Sequence, residues 1–122
     1  GGVFAIEDNV APEDDDLDSF VNRLERLRDP THGRSHRTSD WHAWIEASGL
    51  SIEETSHLRK RIEVDPWIDR IGSHDAESER RIRRHLREAA DEAATFFDIE
   101  YEGEDARSCD SLKALIRAEA HR

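Results

Sequence analysis

The chain has one cysteine, Cys109, among its 122 residues. A lone thiol excludes both an internal disulfide and a cysteine-rich zinc site, so the fold must rest on a core. Long hydrophobic runs are missing too. The longest, Val3 to Ile6, falls far short of the roughly 20 apolar residues that span a bilayer, and no charged-then-apolar signal pattern opens the chain. A soluble, cytoplasmic protein is the expectation. Basic excess is the third absence: 29 acids stand against 18 Lys and Arg, a formal charge of −11. A surface of that sign repels phosphates, which argues against nucleic acid and anionic membranes as partners.

Lysine is scarce among the cations. Only Lys60 and Lys113 are lysines and the rest are arginines, a balance that, with the acidic surface, resembles salt-adapted, halophilic proteins. Self-repulsion of this size is expected to be relieved by salt, because the Debye length shrinks to about 3 Å at 1 M. A chain of 14.1 kDa suits one domain, 1–122, burying roughly two-thirds of the surface its unfolded form exposes.

What is present sorts into alternating elements. Val3-Phe4-Ala5-Ile6, bracketed by Gly1-Gly2 and Asp8-Asn9, reads as a strand covered on both faces, and residues 1–14 as that strand with a loop after it. Pro12 and the acids Glu13 to Asp16 prepare a helix start. Leu17, Phe20, Val21, Leu24 and Leu27 then form one apolar stripe, which predicts a helix over 15–28 that ends where Pro30 restricts Asp29. Thr38 or Ser39 is expected to cap a second helix carrying Trp41, Trp44 and Ile45 up to Gly49. Residues 15–49 thus form a helix, a loop and a tryptophan helix.

In 50–122 a strand is expected near 51–62, then a helical turn capped by Asp65 with Pro66 in its first position and ending at Gly72. A long helix follows over 75–95, with Glu77–Arg81, Glu79–Arg83 and Arg84–Glu88 paired along it. Phe97, Ile99 and Tyr101 alternate with acids as in a strand, and Gly103 to Asp110 reads as a loop. Leu112 to Ala120 is rich in helix formers, so propensity alone favours a helix.

Gly1-Gly2-Val3-Phe4-Ala5-Ile6-Glu7-Asp8-Asn9-Val10-Ala11-Pro12, then Arg28-Asp29-Pro30-Thr31-His32, then Ser39-Asp40-Trp41 and Ala47-Ser48-Gly49-Leu50 together resemble one family over residues 1 to 60. The likeness is to the C-terminal half of class I S-adenosylmethionine-dependent methyltransferases of the type related to ubiquinone and menaquinone biosynthesis. Thr31 stands for that family's serine and Asp40 for its glutamate. The resemblance implies an α/β fold, or α+β for the isolated piece: the C-terminal part of a Rossmann-like sheet, about three mixed or antiparallel strands in spatial order first, last, middle, flanked by helices. It also turns Leu112 to Ala120 from a helix into the last strand, with Phe97 to Tyr101 as a short edge strand. The chain shows neither a Gly-x-Gly-x-Gly turn after a strand nor an acid placed to hold ribose. S-adenosylmethionine is therefore expected to bind a longer parent protein and not this chain alone, which is expected to be inactive by itself.

In open α/β sheets ligands bind beyond the carboxyl ends of parallel strands, which marks Asp8 and Asn9 as site candidates beside the plainer reading that they close an Asx turn. Methyl transfer needs an oriented acceptor and often a base. The resemblance makes Asp8 and His32 the catalytic candidates and Asn9, Arg34 and His36 the contacts to a small-molecule acceptor, although Arg34 in so acidic a chain also suits a carboxylate partner. Asp29, His32, His36 and His42 lack the spacing of a zinc site, so no metal is expected. Trp41 and Trp44 read as core or interface anchors, and Cys109 as an idle thiol. Val3 to Glu7 would leave an unpaired strand edge, for which a missing N-terminal half or a second copy, in a homodimer, is the expected partner. The rival reading is a non-catalytic α+β protein-interaction module.

Overall fold

The computed structural model describes residues 2–31, 33–70 and 75–120. Strand β1 (Val3–Asn9) leads through buried Val10, Ala11 and Pro12 to helix α1 (Asp15–Arg28). The helix starts where Asp14 Oδ1 accepts the amides of Asp16 and Leu17, and it stops at Asp29 ahead of Pro30. Both ends fall where capping chemistry puts them. Helix α2 (Thr38–Ala47) is capped at Arg37, one residue before the expected Thr38 or Ser39. Asp40 reaches back to the Arg37 amide at 3.0 Å, so the carboxylate inside the first turn fixes the start and neither hydroxyl is needed.

Gly49, at φ +92°, turns the chain into β2 (Leu50–Glu63). Helix α3 (Val64–Asp69) follows at once, with Glu63 as its cap; Asp65 and Pro66 thus sit two positions deeper than expected. The end of the expected turn, at Gly72, lies outside the described residues.

The long helix expected over 75–95 is two helices, α4 (Ala76–Arg87) and α5 (Asp91–Phe96). Glu88, Ala89 and Ala90 bend the chain so that Leu86 and Ala93 both reach one core with Phe97. A straight helix would not fold its second half back, and the gain in packing outweighs alanine propensity. Glu77 bonds to Arg80 and Arg81, and Glu79 lies 3.7 Å from Arg83.

Phe97 and Ile99 are buried, though not by strand alternation. Asp98 adopts a left-handed conformation, φ +46°, which lets both neighbours turn inward and which a short polar side chain tolerates. Strand β3 (Glu100–Glu102) is shorter than the alternation suggested. The stretch expected as a loop, 103–110, is instead a tight turn at Gly103, φ +64°, that feeds the sixteen-residue strand β4 (Asp105–Ala120).

The sheet order is β1-β4-β2, with β3 on the amino end of β4, and every pairing is antiparallel. The spatial order first, last, middle holds, and Leu112 to Ala120 is a strand. With β4 antiparallel to both neighbours, β1 and β2 run parallel to each other. Pairing gives Val3 opposite Glu119, Asn9 opposite Lys113, and Ile62 opposite Cys109.

Strand alternation splits the core in two. Ala114, Ile116 and Ala118 point to the face under α2, with Val10 and Ile45. Cys109 points to the other, where α1, α3, α4 and α5 bring Leu24, Val64, Trp67, Ile82, Leu86 and Phe97 around it. This second helical layer covers only one end of its face. Further along, Val3, Leu58 and Leu115 remain exposed. The expectation that β1 is covered on both faces is therefore corrected: apart from half-buried Ile6 its residues are exposed, because no described element lies on its outer edge.

Candidate functional site

Where α1 and α3 end on the sheet, a cleft of about 350 Å³ opens over the carboxyl ends of the two parallel strands. Asn9 comes from the last residue of β1 and Lys60, Arg61, Ile62 and Glu63 from the end of β2; Ser111 and Lys113 lie between them on β4. Glu25 and Arg28 of α1 and Pro66, Trp67 and Arg70 at α3 form the opposite wall.

Local chemistry fixes several of these groups. Arg28 lies over the Trp67 ring, 4.4 Å from its centroid, and donates from Nε to the Trp67 carbonyl at 3.1 Å. A cation on an indole face gains from the ring quadrupole while its remaining N–H groups stay available. Arg61 is consumed structurally: it donates to Ser108 Oγ at 2.7 Å, to Asp110 at 3.0 Å and to the Asp98 carbonyl at 2.7 Å, tying β2 to the β3–β4 hairpin.

The residues singled out from the sequence do not converge. Asn9 lines the cleft. Asp8, opposite Ala114, belongs to the face under α2, and its carboxylate accepts the Asn9 amide at 2.8 Å; both residues lie within β1 and not in a turn. His36 stands edge-on to Trp44, with 4.8 Å between ring centroids, and its carbonyl accepts the Ala11 amide at 2.9 Å. Arg34 bonds to Asp18. His32 lies outside the described residues. Trp44 is half exposed and Trp41 half buried, and Cys109 is buried, its thiol pushed up to about 11 by that burial.

Sequence reasoning missed the group that shapes this region. Asp18 and Asn22 are polar, buried, and one turn apart on α1. Burial alone would raise the Asp18 carboxyl, but bonds from Arg37, at 2.7 Å, from Arg34 and from Asn22, at 2.8 Å, outweigh it and hold it below the ordinary carboxylate range. Asn22 in turn binds the backbone of Ser35. The segment after Pro30 is thereby clasped to α1. The signal was available: Asp18 and Asn22 stand one turn apart on the flank of the apolar stripe, where a buried polar pair requires partners. Among the described residues only Asp14, Asp16 and Glu92 group as metal ligands would, all exposed and away from the cleft.

No family model matches the chain. It is 40% identical over 117 residues, 94% of its length, to the methyltransferase YcgJ of Bacillus subtilis, a protein itself uncharacterized, of which it covers 45%. The chain is related to methyltransferases. The crystal structure of YcgJ superposes with a TM-score of 0.92 at 37% identity, over 99% of this chain and 52% of that one. A structure from Bacillus halodurans C-125, of a protein named as a candidate methyltransferase, does so at 0.94 and 29% identity, again over 52% of its length. YafE of Escherichia coli K12, an uncharacterized protein, is 24% identical over 103 residues. The chain spans about half the length of the curated relatives it matches. The mixed α/β architecture is thus that of part of a methyltransferase fold. No helix among the described residues is long and apolar enough to cross a membrane.

Proposed function

We propose that this chain is the C-terminal, acceptor-side portion of an S-adenosylmethionine-dependent methyltransferase that acts on a small molecule. The kinship to YcgJ over nearly the whole chain carries the reading. The position of the cleft supports it, since ligands of open α/β sheets sit beyond the carboxyl ends of parallel strands.

The residues present do not fit the methyl donor. A strand leading through a glycine-rich turn into a helix is what cradles such a cofactor. Here β1 leads into Val10-Ala11-Pro12 and β2 runs directly into α3; among the described residues no glycine joins a strand to a helix in that order. Donor binding is therefore assigned to the half of the relatives that this chain does not span, and no step is derived through it.

What this chain contributes is orientation. Asn9 offers one amide acceptor and two donors at the cleft floor, enough to fix an acceptor's hydroxyl or carbonyl. Arg28, held flat on Trp67, limits how a ligand enters. Asp8 looks to the other face, so the proton-accepting role falls to His32, four residues after Arg28 in the motif. The test is transfer of labelled methyl from S-adenosylmethionine by a protein of the relatives' full length carrying this sequence. Label in the low-molecular-weight fraction supports the reading; label only in protein or nucleic acid, or none, contradicts it.

A further inference from the structure

We propose that the cleft between β2, β4 and α3 holds an anionic group of the acceptor, a carboxylate or a phosphate; this rests on the acceptor-side reading above. Five cationic side chains, Arg28, Lys60, Arg61, Arg70 and Lys113, line the cleft against two carboxylates, Glu25 and Glu63. That local excess of positive charge occurs in a chain of net charge −11. The inversion lies over the strand ends.

The kind of cation is as telling as the number. Both lysines of the chain stand here. Arginine's planar fork suits the fixed carboxylate pairs that lace the rest of this surface, whereas an ammonium is a compact point charge with three donors that follows a ligand oxygen wherever it sits. Arg61 is fully engaged by protein groups, but the others are not. Lys60 and Arg70 have no ion-pair partner among the described residues. Lys113 lies 3.9 Å from exposed Glu7, and Arg28 has 3.9 Å to Glu25, both at the outer limit of an ion pair. An incoming anion would meet two cations with no ion-pair partner among the described residues, Lys60 and Arg70, and two more, Lys113 and Arg28, each paired only at 3.9 Å. It would also meet Asn9 beside Lys113, the pair across β1 and β4, so one end of the acceptor would be held by charge and the rest by directed hydrogen bonds.

A second basic recess tests whether charge alone explains the site. Arg23, Arg81, Arg84 and His85 line a hollow of about 180 Å³ between α1 and α4, away from the sheet. It should not select the same ligands.

The experiment is an amide NMR titration of the 122-residue chain at fixed ionic strength with two probes, pyrophosphate and citrate. Saturable shifts are expected at Asn9, Lys60 to Glu63 and Lys113. They should weaken about tenfold or more in the Lys60→Glu, Lys113→Glu double variant and persist in Arg84→Ala. Tighter pyrophosphate binding points to a phosphorylated acceptor, and tighter citrate binding to an organic acid. Should the glutamate variant fail to fold, Lys60→Gln with Lys113→Gln gives the same readout. Shifts that do not saturate, that appear equally at the Arg23–Arg84 recess, or that survive the lysine substitutions overturn the proposal. Anion binding without methyl transfer would leave this site standing and remove the methyltransferase reading, and the reverse result would do the opposite.

Discussion

Asn22 holds Ser35 by both sides of its peptide backbone: its Oδ1 accepts the Ser35 amide at 2.7 Å and its Nδ2 donates to the Ser35 carbonyl at 3.2 Å. Both residues are buried. A side-chain amide thus does for the loop what a neighbouring strand would, and it places the segment after the Arg-Asp-Pro-Thr-His motif against α1. Asn22→Ala strands a buried donor and a buried acceptor, a loss of about 1–3 kcal/mol. Urea denaturation should show it as a lower midpoint with an unchanged slope; Ser19→Ala, on the exposed side of the same helix, should stay close to the unsubstituted chain.

His85 and Asp18 respond to acid in separate windows. His85 is stacked on Phe20 at 4.3 Å and donates Nε2–H to the Phe20 carbonyl at 2.9 Å. Burial first, with the nearby Arg23 charge, lowers its pKa from the ordinary 6.5, against the opposing pulls of the Phe20 carbonyl and Glu88. The unfolded chain therefore takes up the proton first, and the contribution of His85 is complete above about pH 6.5 and lost as pH falls through its folded value. Asp18, lowered from about 3.8, holds its contribution above that pH and loses it below. Melting midpoints across pH should fall in two stages. His85→Phe should flatten the upper one and Asp18→Asn the lower, the latter at a cost of about 1–3 kcal/mol near neutrality.

Cys109 should be inert in the folded chain. Its thiol is buried and raised to about 11 by that burial, so at pH 8 about one in a thousand is ionised, and thiolate is the reactive form. A chromogenic disulfide reagent should label it only at the rate of unfolding. Labelling within seconds in native buffer would place the thiol at the surface.

Salt should stabilise the chain. With a net charge of −11 and long-range repulsion screened within a few ångströms at molar salt, the thermal midpoint is expected to rise between low and molar KCl. A falling midpoint would show that the many exposed arginine–carboxylate pairs, which salt weakens, outweigh the repulsion.

Much of this architecture was legible because local chemistry and tertiary packing agreed. The apolar stripe from Leu17 to Leu27, Pro30 behind it, and Gly49 between α2 and β2 each mark their element without outside help. Leu112 to Ala120 shows the opposite case: its residues favour a helix, and only the resemblance turned it into the strand that the sheet requires, paired on both sides. The break at Glu88 to Ala90 was hidden, since good helix formers run straight through it and the reason to bend lies in Phe97 and Leu86 meeting across the core. Of the site, Asn9 could be found because strand ends carry ligands. The cleft's cations could not: Arg28, Lys60 and Lys113 are far apart in sequence, and only the register of β2 on β4 brings the two lysines to one end of the sheet.

The central claim is that this chain forms the acceptor side of a methyltransferase. It is tested most directly by steady-state methyl transfer in a protein of the relatives' full length carrying Asn9→Ala or His32→Ala, measured alongside the Kd for S-adenosylmethionine. The account predicts kcat/KM for the acceptor lower by about tenfold or more with the Kd for S-adenosylmethionine unchanged. Unaltered acceptor kinetics, or a loss of S-adenosylmethionine binding in their place, would contradict it.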